Sequence, residues 1–399
     1  MTGAREPLPV PEPPDRPPAW QDARVRAIVF QALALAGVVG VGWFITANTM
    51  TNLSKQGIAT GFGFLNSTAG FGISMSLIEY AEEHTYLRAF LVGVLNTLLV
   101  SSIGVVLATV LGFLLGIMRL SRNWLVAKVA AAYVEVVRNM PLLLQIFFWY
   151  FGILRQLPGP RQSVTVLDAF FLNNRGLFSP QPILEPGFVA IPVALVVAVA
   201  AVAVLARWAR RRRDRTGEQF PTVSVSLALL VGLPLLAAAA TGFPLRWEYP
   251  VLEGFNYVGG MELIPELVAL VVALSTYTAA FIGEIVRAGI LGVSQGQTEA
   301  GQSLGLTRVR LLRLVIIPQA LRIIVPPLTS QYLNLTKNSS LAAAIAYPDL
   351  VLIFAGTVLM QTGQAVEIVV ITMAVYLTIS LLISLFMNWY NHRIALVER

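Results

Sequence analysis

Long stretches of the chain carry no charge: residues 27–54, 89–118, 186–206, 219–245 and 368–392. At about 1.5 Å per residue, several of them are long enough to cross a hydrocarbon core of roughly 30 Å. Residues 188–206 are apolar on every side, as a spanning helix requires. A membrane β-strand alternates apolar and polar positions over a short segment instead. Allowing for isolated polar interruptions, the pattern predicts eight spans. They are 27–47, 89–118, 129–154 (interrupted at Arg138, Asn139 and Pro141), 188–206, 223–243, 263–287, a helix toward 345 broken at Pro326 and Pro327, and 366–388.

The segments between them read differently. Residues 1–26 hold seven prolines and four arginines and no apolar periodicity, so they read as a disordered tail. Residues 56–78 are uncharged but contain five glycines, with Asn66, Ser67 and Thr68 in the middle; they read as an interfacial or re-entrant segment. The stretch 155–186 is an extramembrane loop, and 391–399 a closing tail.

Charge fixes the orientation. With both termini in the cytoplasm, 20 of the 28 basic residues fall on that side, including six arginines between 207 and 215. The positive-inside rule is then satisfied with eight spans. A ninth span at 56–78 would turn the arginine cluster outward. The formal charge of +7 therefore reports membrane topology and not nucleic-acid binding.

Composition narrows the chemistry. The chain is 56% hydrophobic and 12% charged, about half the charge of a soluble domain, which excludes a soluble globular enzyme. There is no cysteine, and His84 and His392 are the only histidines. Thiolate and His-cluster metal sites, a cysteine nucleophile and a His-based triad are thereby set aside. The run Gly292-Val293-Ser294-Gln295-Gly296 fits a serine-hydrolase elbow only by spacing, since a strand before it and a histidine within reach are missing.

The segment from Gly289 to Arg322 carries the mechanism. It reads as a short helix over 297–304, a glycine stop at Gly305, and a basic amphipathic stretch ending at Pro318. Two short helices hinged on a glycine make a docking knob. This segment resembles the EAA loop of ABC importer permeases: Glu-Ala-Ala, three residues, Gly, nine residues, then Ile-x-Leu-Pro. Glu299, Ala300, Gly305 and Pro318 match, with Val315 and Ile317 as conservative changes, while Gly301 stands where the family has alanine. That glycine is expected to loosen the helix by up to about 1 kcal/mol.

The runs 137–145, 277–287, 318–322 and 335–341 are similar to stretches of the histidine/glutamine-type polar amino-acid permeases. The resemblance covers about 89–390, interrupted by an insertion at about 156–256. An N-terminal extra helix and periplasmic segment at 27–88 and that insertion make the chain most like the larger permease of general L-amino-acid or glutamate/glutamine/aspartate/asparagine uptake systems. The resemblance implies an all-α polytopic protein of the bacterial inner membrane. A five-helix type I ABC importer core would carry three extra helices, and the chain would move amino acids from a periplasmic binding protein into the cytoplasm. It also implies ABC ATPase subunits and a second, related permease as partners. No Gly-x4-Gly-Lys-Ser/Thr phosphate loop occurs in the chain, so ATP and Mg belong to the ATPase, no cofactor or metal is expected here, and the chain is not an enzyme.

Ionisable residues inside spans cost roughly 2.5–3.5 kcal/mol each at mid-membrane. Arg138, Glu135, Glu284 with Arg287 three residues on, and Lys337 are therefore path candidates. Asn139 and Asn338 lie beside them, and the run Lys337-Asn338-Ser339-Ser340 reads as an unwound point or half-helix start. A zwitterionic amino acid needs an anionic and a cationic partner, and this set supplies both. Simple pairing of Glu284 with Arg287, and snorkelling of Arg138, are the structural alternatives. An ion-coupled secondary transporter is the competing function; such folds show internal repeats, and none is evident here.

Overall fold

The computed structural model describes residues 22–55, 57 and 60–394. In chain order the helices are α1 (Ala23–Lys55), α2 (Tyr86–Arg119), α3 (Trp124–Asn139) and α4 (Leu142–Phe147). Strands β1 (Val164–Val166), β2 (Phe170–Asn173), β3 (Gly176–Ser179) and β4 (Gln181–Leu184) follow, then α5 (Ala190–Thr216) and α6 (Thr222–Ala240). Next are β5 (Leu245–Glu248), β6 (Val251–Glu253), β7 (Asn256–Val258) and β8 (Met261–Leu263). The chain closes with α7 (Pro265–Leu291), α8 (Gln295–Ser303), α9 (Arg308–Leu311), α10 (Ile317–Asn338), α11 (Leu359–Thr362) and α12 (Ala365–Ile394).

Among the described residues, seven helices are long and apolar enough to cross a membrane, and eight spans result when the bent α3–α4 pair counts as one. Helices α2, α3–α4, α7, α10 and α12 pack into one bundle. The apolar stretch of α1 is buried nowhere, and those of α5 and α6 are 6% buried. Five core spans and three appended ones are the result.

Local chemistry sets several boundaries. Thr85 caps α2 by accepting from the Arg88 amide, and Asn123 caps α3 through the Leu125 and Val126 amides. Pro265 opens α7, where its missing N–H costs nothing. The core closes where side chains are smallest. Helices α2 and α7 lie directly against each other, and a Cβ added at Gly112 would stand 2.5 Å from the Ile282 Cβ. Gly116 meets Val286 and the Gly283 carbonyl in the same way. Without hydrophobic exclusion to hold helices together in lipid, such close approach is what binds them.

The interruption expected in the third span is a sharp bend, while the expectations for α10 and α5 need correction. The third span bends by 107° between α3 and α4, because Pro141 ends the α3 ladder. Gln145 secures the corner by donating to the Val137 carbonyl at 3.0 Å and the Met140 carbonyl at 3.2 Å. Pro326 and Pro327, by contrast, do not break α10, which runs through both. The proline that deforms its helix is Pro318. It lacks an N–H, and the preceding turn Leu312–Ile316 widens into a π turn to absorb the loss. The basic stretch thus does not end at Pro318 but continues into α10 as one span. Helix α5 likewise runs on through the arginine cluster to Thr216.

The insertion is not all helix, although the chain as a whole is predominantly helical. Strands β1-β2-β3-β8 form an antiparallel sheet, and β4 pairs with β5 and β6 with β7. Leu177 faces Leu263 across β3 and β8, so the two ends of the insertion are stitched together and the sheet reaches past residue 256. Strands of three or four residues carry too little alternation to be seen in sequence. The expected tail at 1–26 also changes at its edge: α1 begins at Ala23, while residues 1–21, with Arg5 and Arg16, lie outside the described residues. At the other end α12 extends to Ile394, and 395–399, with Arg399, lie outside them.

Residues 60–85 pack against the bundle without crossing it. Glu367 of α12, nearly buried, accepts from the Gly61 amide at 2.7 Å. Phe64, Phe71 and Tyr80 cover a core cluster around Tyr86, Leu350 and Phe354.

Candidate functional site

The first candidate site is the knob formed by α8 and α9. Helix α8 ends in a Schellman motif: the Gly305 amide bonds the Gln302 carbonyl at 2.9 Å, and the Leu306 amide bonds the Gly301 carbonyl at 3.1 Å. Gly305 sits at φ +70, a conformation that penalises any side chain. This fixed turn folds α8 back on the start of the α10 span. Glu299, Ala300 and Gly305 are exposed, Pro318 is half-buried, and Gly301 is buried.

Gly301 corrects the expectation of a loosened helix. The Leu311 side chain fills the place where an alanine Cβ would lie, so the glycine lets α8 seat closely on α9. A second tie is the hydrogen bond from Gln319 Nε2 to Gln297 Oε1 at 3.2 Å. Through these two contacts, α8 touches the helical run that becomes a span. Leu304 is 81% exposed and Val309 74%, either side of the turn that joins α8 to α9. Apolar side chains held out on a polar knob mark a surface that something covers. A cleft of about 460 Å³ lies alongside, lined by Arg122, Leu291, Gln302 and Leu312 among others.

The path candidates do not converge on one point. Glu284 is held by two arginines: Arg287 approaches with Nη2–Oε1 at 2.6 Å and Nε–Oε2 at 3.1 Å, and Arg119 of α2 bonds Oε2. The Arg138 guanidinium stands 5.0 Å from the Phe281 ring, one turn before Glu284 on α7, and Asn139 is exposed at the end of α3. One carboxylate thus sits among three guanidinium groups of α2, α3 and α7. It can lock these helices at their basic end, but its oxygens are already occupied.

Lys337 and Asn338 lie at the far end of α10. Lys337 lines a separate cleft of about 360 Å³ with Ser340, Thr372 and Tyr376. The run from Lys337 is not a half-helix start. α10 finishes there and tightens into the 3-10 turn Ser339–Ile345, which Ala346 terminates at φ 60.

Sequence reasoning passes over a buried polar node between α2 and the segment after α10. Asn96 Nδ2 donates to the carbonyls of Met75 and Pro348, both at 2.9 Å. Thr97 Oγ1 accepts from the Leu350 amide at 3.1 Å. The Tyr347 hydroxyl donates to the Asn96 carbonyl at 3.2 Å, and the Tyr376 hydroxyl reaches Asp349 at 3.4 Å. The available signal is Asn96 and Thr97 inside an otherwise apolar run, which a search for charges alone overlooks. Arg119 likewise reads in sequence only as a loop charge.

Residues 108–396 match the family described as "Binding-protein-dependent transport system inner membrane component". The chain is 57% identical over 381 residues to YhdX of Escherichia coli (strain K12), covering 96% of this chain and 97% of that one. It is 55% identical to the general L-amino acid transport system permease protein AapQ of Rhizobium johnstonii, over 96% of this chain and 95% of that one. With the glutamate/glutamine/aspartate/asparagine transport system permease protein BztB of Rhodobacter capsulatus it shares 41% identity, over 95% and 96%. The matched span, the five-helix bundle and the glycine-hinged knob agree: this chain belongs to the inner-membrane components of binding-protein-dependent transport systems.

Proposed function

We propose that this chain is the translocation subunit of an ATP-driven importer of amino acids, polar and acidic ones or a broad L-amino-acid range. Its partners on this reading are ABC ATPase subunits, a periplasmic amino-acid-binding protein and a second, related permease with which it forms a heterodimer. Both termini lie in the cytoplasm, and ATP and Mg are handled entirely by the ATPase. The relatives' names support the substrate class, and the surplus of basic residues at the knob end of the bundle supports the orientation.

One observation carries the mechanism: α8 is exposed, with Glu299 and the following Leu304 facing outward, and is turned back at Gly305 while tied to the α10 span through Leu311 and Gln319. A partner that closes on nucleotide moves α8, and the ties pass that displacement to α10. The core spans then rock between outward-open and inward-open arrangements. The Glu284 cluster sits one to two turns from the end of α7, just before the knob, where it holds α2 and α7 together during the motion.

Glu299→Lys tests this directly. Inverting an exposed charge on α8 leaves the membrane core untouched, so the variant is expected to insert and assemble normally. Uptake in reconstituted vesicles should fall at least about tenfold, the equivalent of roughly 1.4 kcal/mol of lost coupling, while ATP hydrolysis continues. Uptake at the unaltered rate would remove α8 from the coupling role.

A further inference from the structure

The inserted helices α5 and α6 meet in a turn, and beside it a cleft of about 650 Å³ opens. Its lining includes the small side chains of Ala206 and Ala209, the guanidinium-bearing Arg210 and Arg213, and Gln219 and Phe220 of the turn. Arg210 and Arg213 are three residues apart, so they share one face of α5.

These two arginines are also left over. Six arginines between 207 and 218 are opposed only by Asp214 and Glu218. Glu218 is taken by Arg212 at 2.7 Å, whose guanidinium stands 5.5 Å from the Trp208 ring. Among the described residues, no carboxylate lies within ion-pair distance of Arg210 or Arg213. Two cations in a concave, roomy site with no anion call for one. The surroundings say what kind: the helices leading away from the cleft hold apolar side chains out, with Val199 at 54%, Val204 at 63%, Leu227 at 63% and Val231 at 52% exposure. A ligand that satisfies both features carries a phosphate on a pair of acyl chains.

We propose that the α5–α6 cleft is a binding site for an anionic phospholipid. Arg210 and Arg213 hold the headgroup phosphate bidentately, the alanines leave the room it occupies, and the acyl chains run along the exposed apolar faces of α5 and α6. The site stands apart from the transport core and does not depend on the transport reading. It also accounts for how the insertion is held, since a hairpin with little protein contact is fixed by lipid at its basic end.

The full-length chain, purified in detergent and titrated while lipid occupancy is read by native mass spectrometry, tests the site. Phosphatidylglycerol is expected to bind and phosphatidylcholine not. A diffuse basic surface loses roughly fivefold in affinity per arginine wherever the arginine is removed. The cleft instead requires Arg210→Gln/Arg213→Gln to weaken phosphatidylglycerol at least about tenfold more than the charge-matched pair Arg211→Gln/Arg215→Gln. Ala206→Phe, which fills the cleft and keeps every arginine, should weaken it comparably. Equal losses in the two double variants, or binding unchanged by Ala206→Phe, would overturn the proposal. Inorganic phosphate distinguishes a lipid site from an ion site: displacement of the lipid by millimolar phosphate sinks the lipid assignment, and retention supports it. Elution volumes in size-exclusion chromatography should match the wild type for all variants, because the substituted residues are not needed by the core.

Discussion

Helices α5 and α7 are each 27 residues long and both are apolar enough to span a membrane. In α7 the most apolar stretch is 56% buried inside the protein, and in α5 it is 6% buried. Hydrophobicity therefore does not decide which helix becomes core. What decides it is matching between surfaces. α7 presents Ala279, Ile282, Gly283 and Val286 to the glycines of α2, and Gly289 to Ile324 of α10. α5 packs chiefly on α6, buries small residues such as Ala198, and turns valines such as Val196 and Val199 outward. In lipid, apolar content admits a helix to the membrane, and only close packing holds it against another.

The comparison can be broken at its tightest point. Gly112→Leu forces a side chain into the space of Ile282 and the Ala279 carbonyl, overpacking that costs about 3 kcal/mol or more. The expected outcome is a sharp fall in the monodisperse fraction during size-exclusion chromatography, and a normal profile would show that α2 and α7 do not depend on this contact. Glu284→Gln comes next. The group is roughly a quarter exposed, so the loss is discounted from that of a fully buried pair to about 1–3 kcal/mol. Scanning calorimetry or dye-reported unfolding in detergent should show a lowered transition of a few degrees. A matched pair sharpens the contrast between the two helices. Val286→Ala removes a side chain that is 1% exposed and should cost roughly 1–2 kcal/mol, while Val199→Ala on α5, at 54% exposure, should stay within about 0.5 kcal/mol. Equal effects at the two positions would mean that α5 is packed in a way the chain alone does not reveal.

Some of the site is legible in the sequence and some is not, for identifiable reasons. Gly305 is visible because a glycine after a short helix signals its stop, and it sits at positive φ; Glu299 and Pro318 are visible only through their spacing in the resemblance to the EAA loop. Gly301 reads as a weakness because propensity considers only its own helix; its use lies in Leu311, ten residues on. Glu284 and Arg287 share a helix face and can be paired from spacing. Arg119 cannot, since it approaches from a different helix. The run from Lys337 reads as an unwound point or a half-helix start; the α-helix does give way there to a 3-10 turn, but a polar run after an apolar stretch looks the same at either end of a helix.

Read alone, the residues were enough to locate the long apolar helices and the glycine stop at Gly305. Each of these depends on a local free energy, of placing a residue in hydrocarbon or in water or of holding a backbone at positive φ, which a neighbour in space hardly changes. Tertiary structure alone decided that Arg119 joins Glu284, that Gly112 makes room for Ile282, and that Asn96 and Thr97 tie α2 to the segment after α10. Those depend on partners brought from far along the chain, and no window of residues contains both members of such a contact.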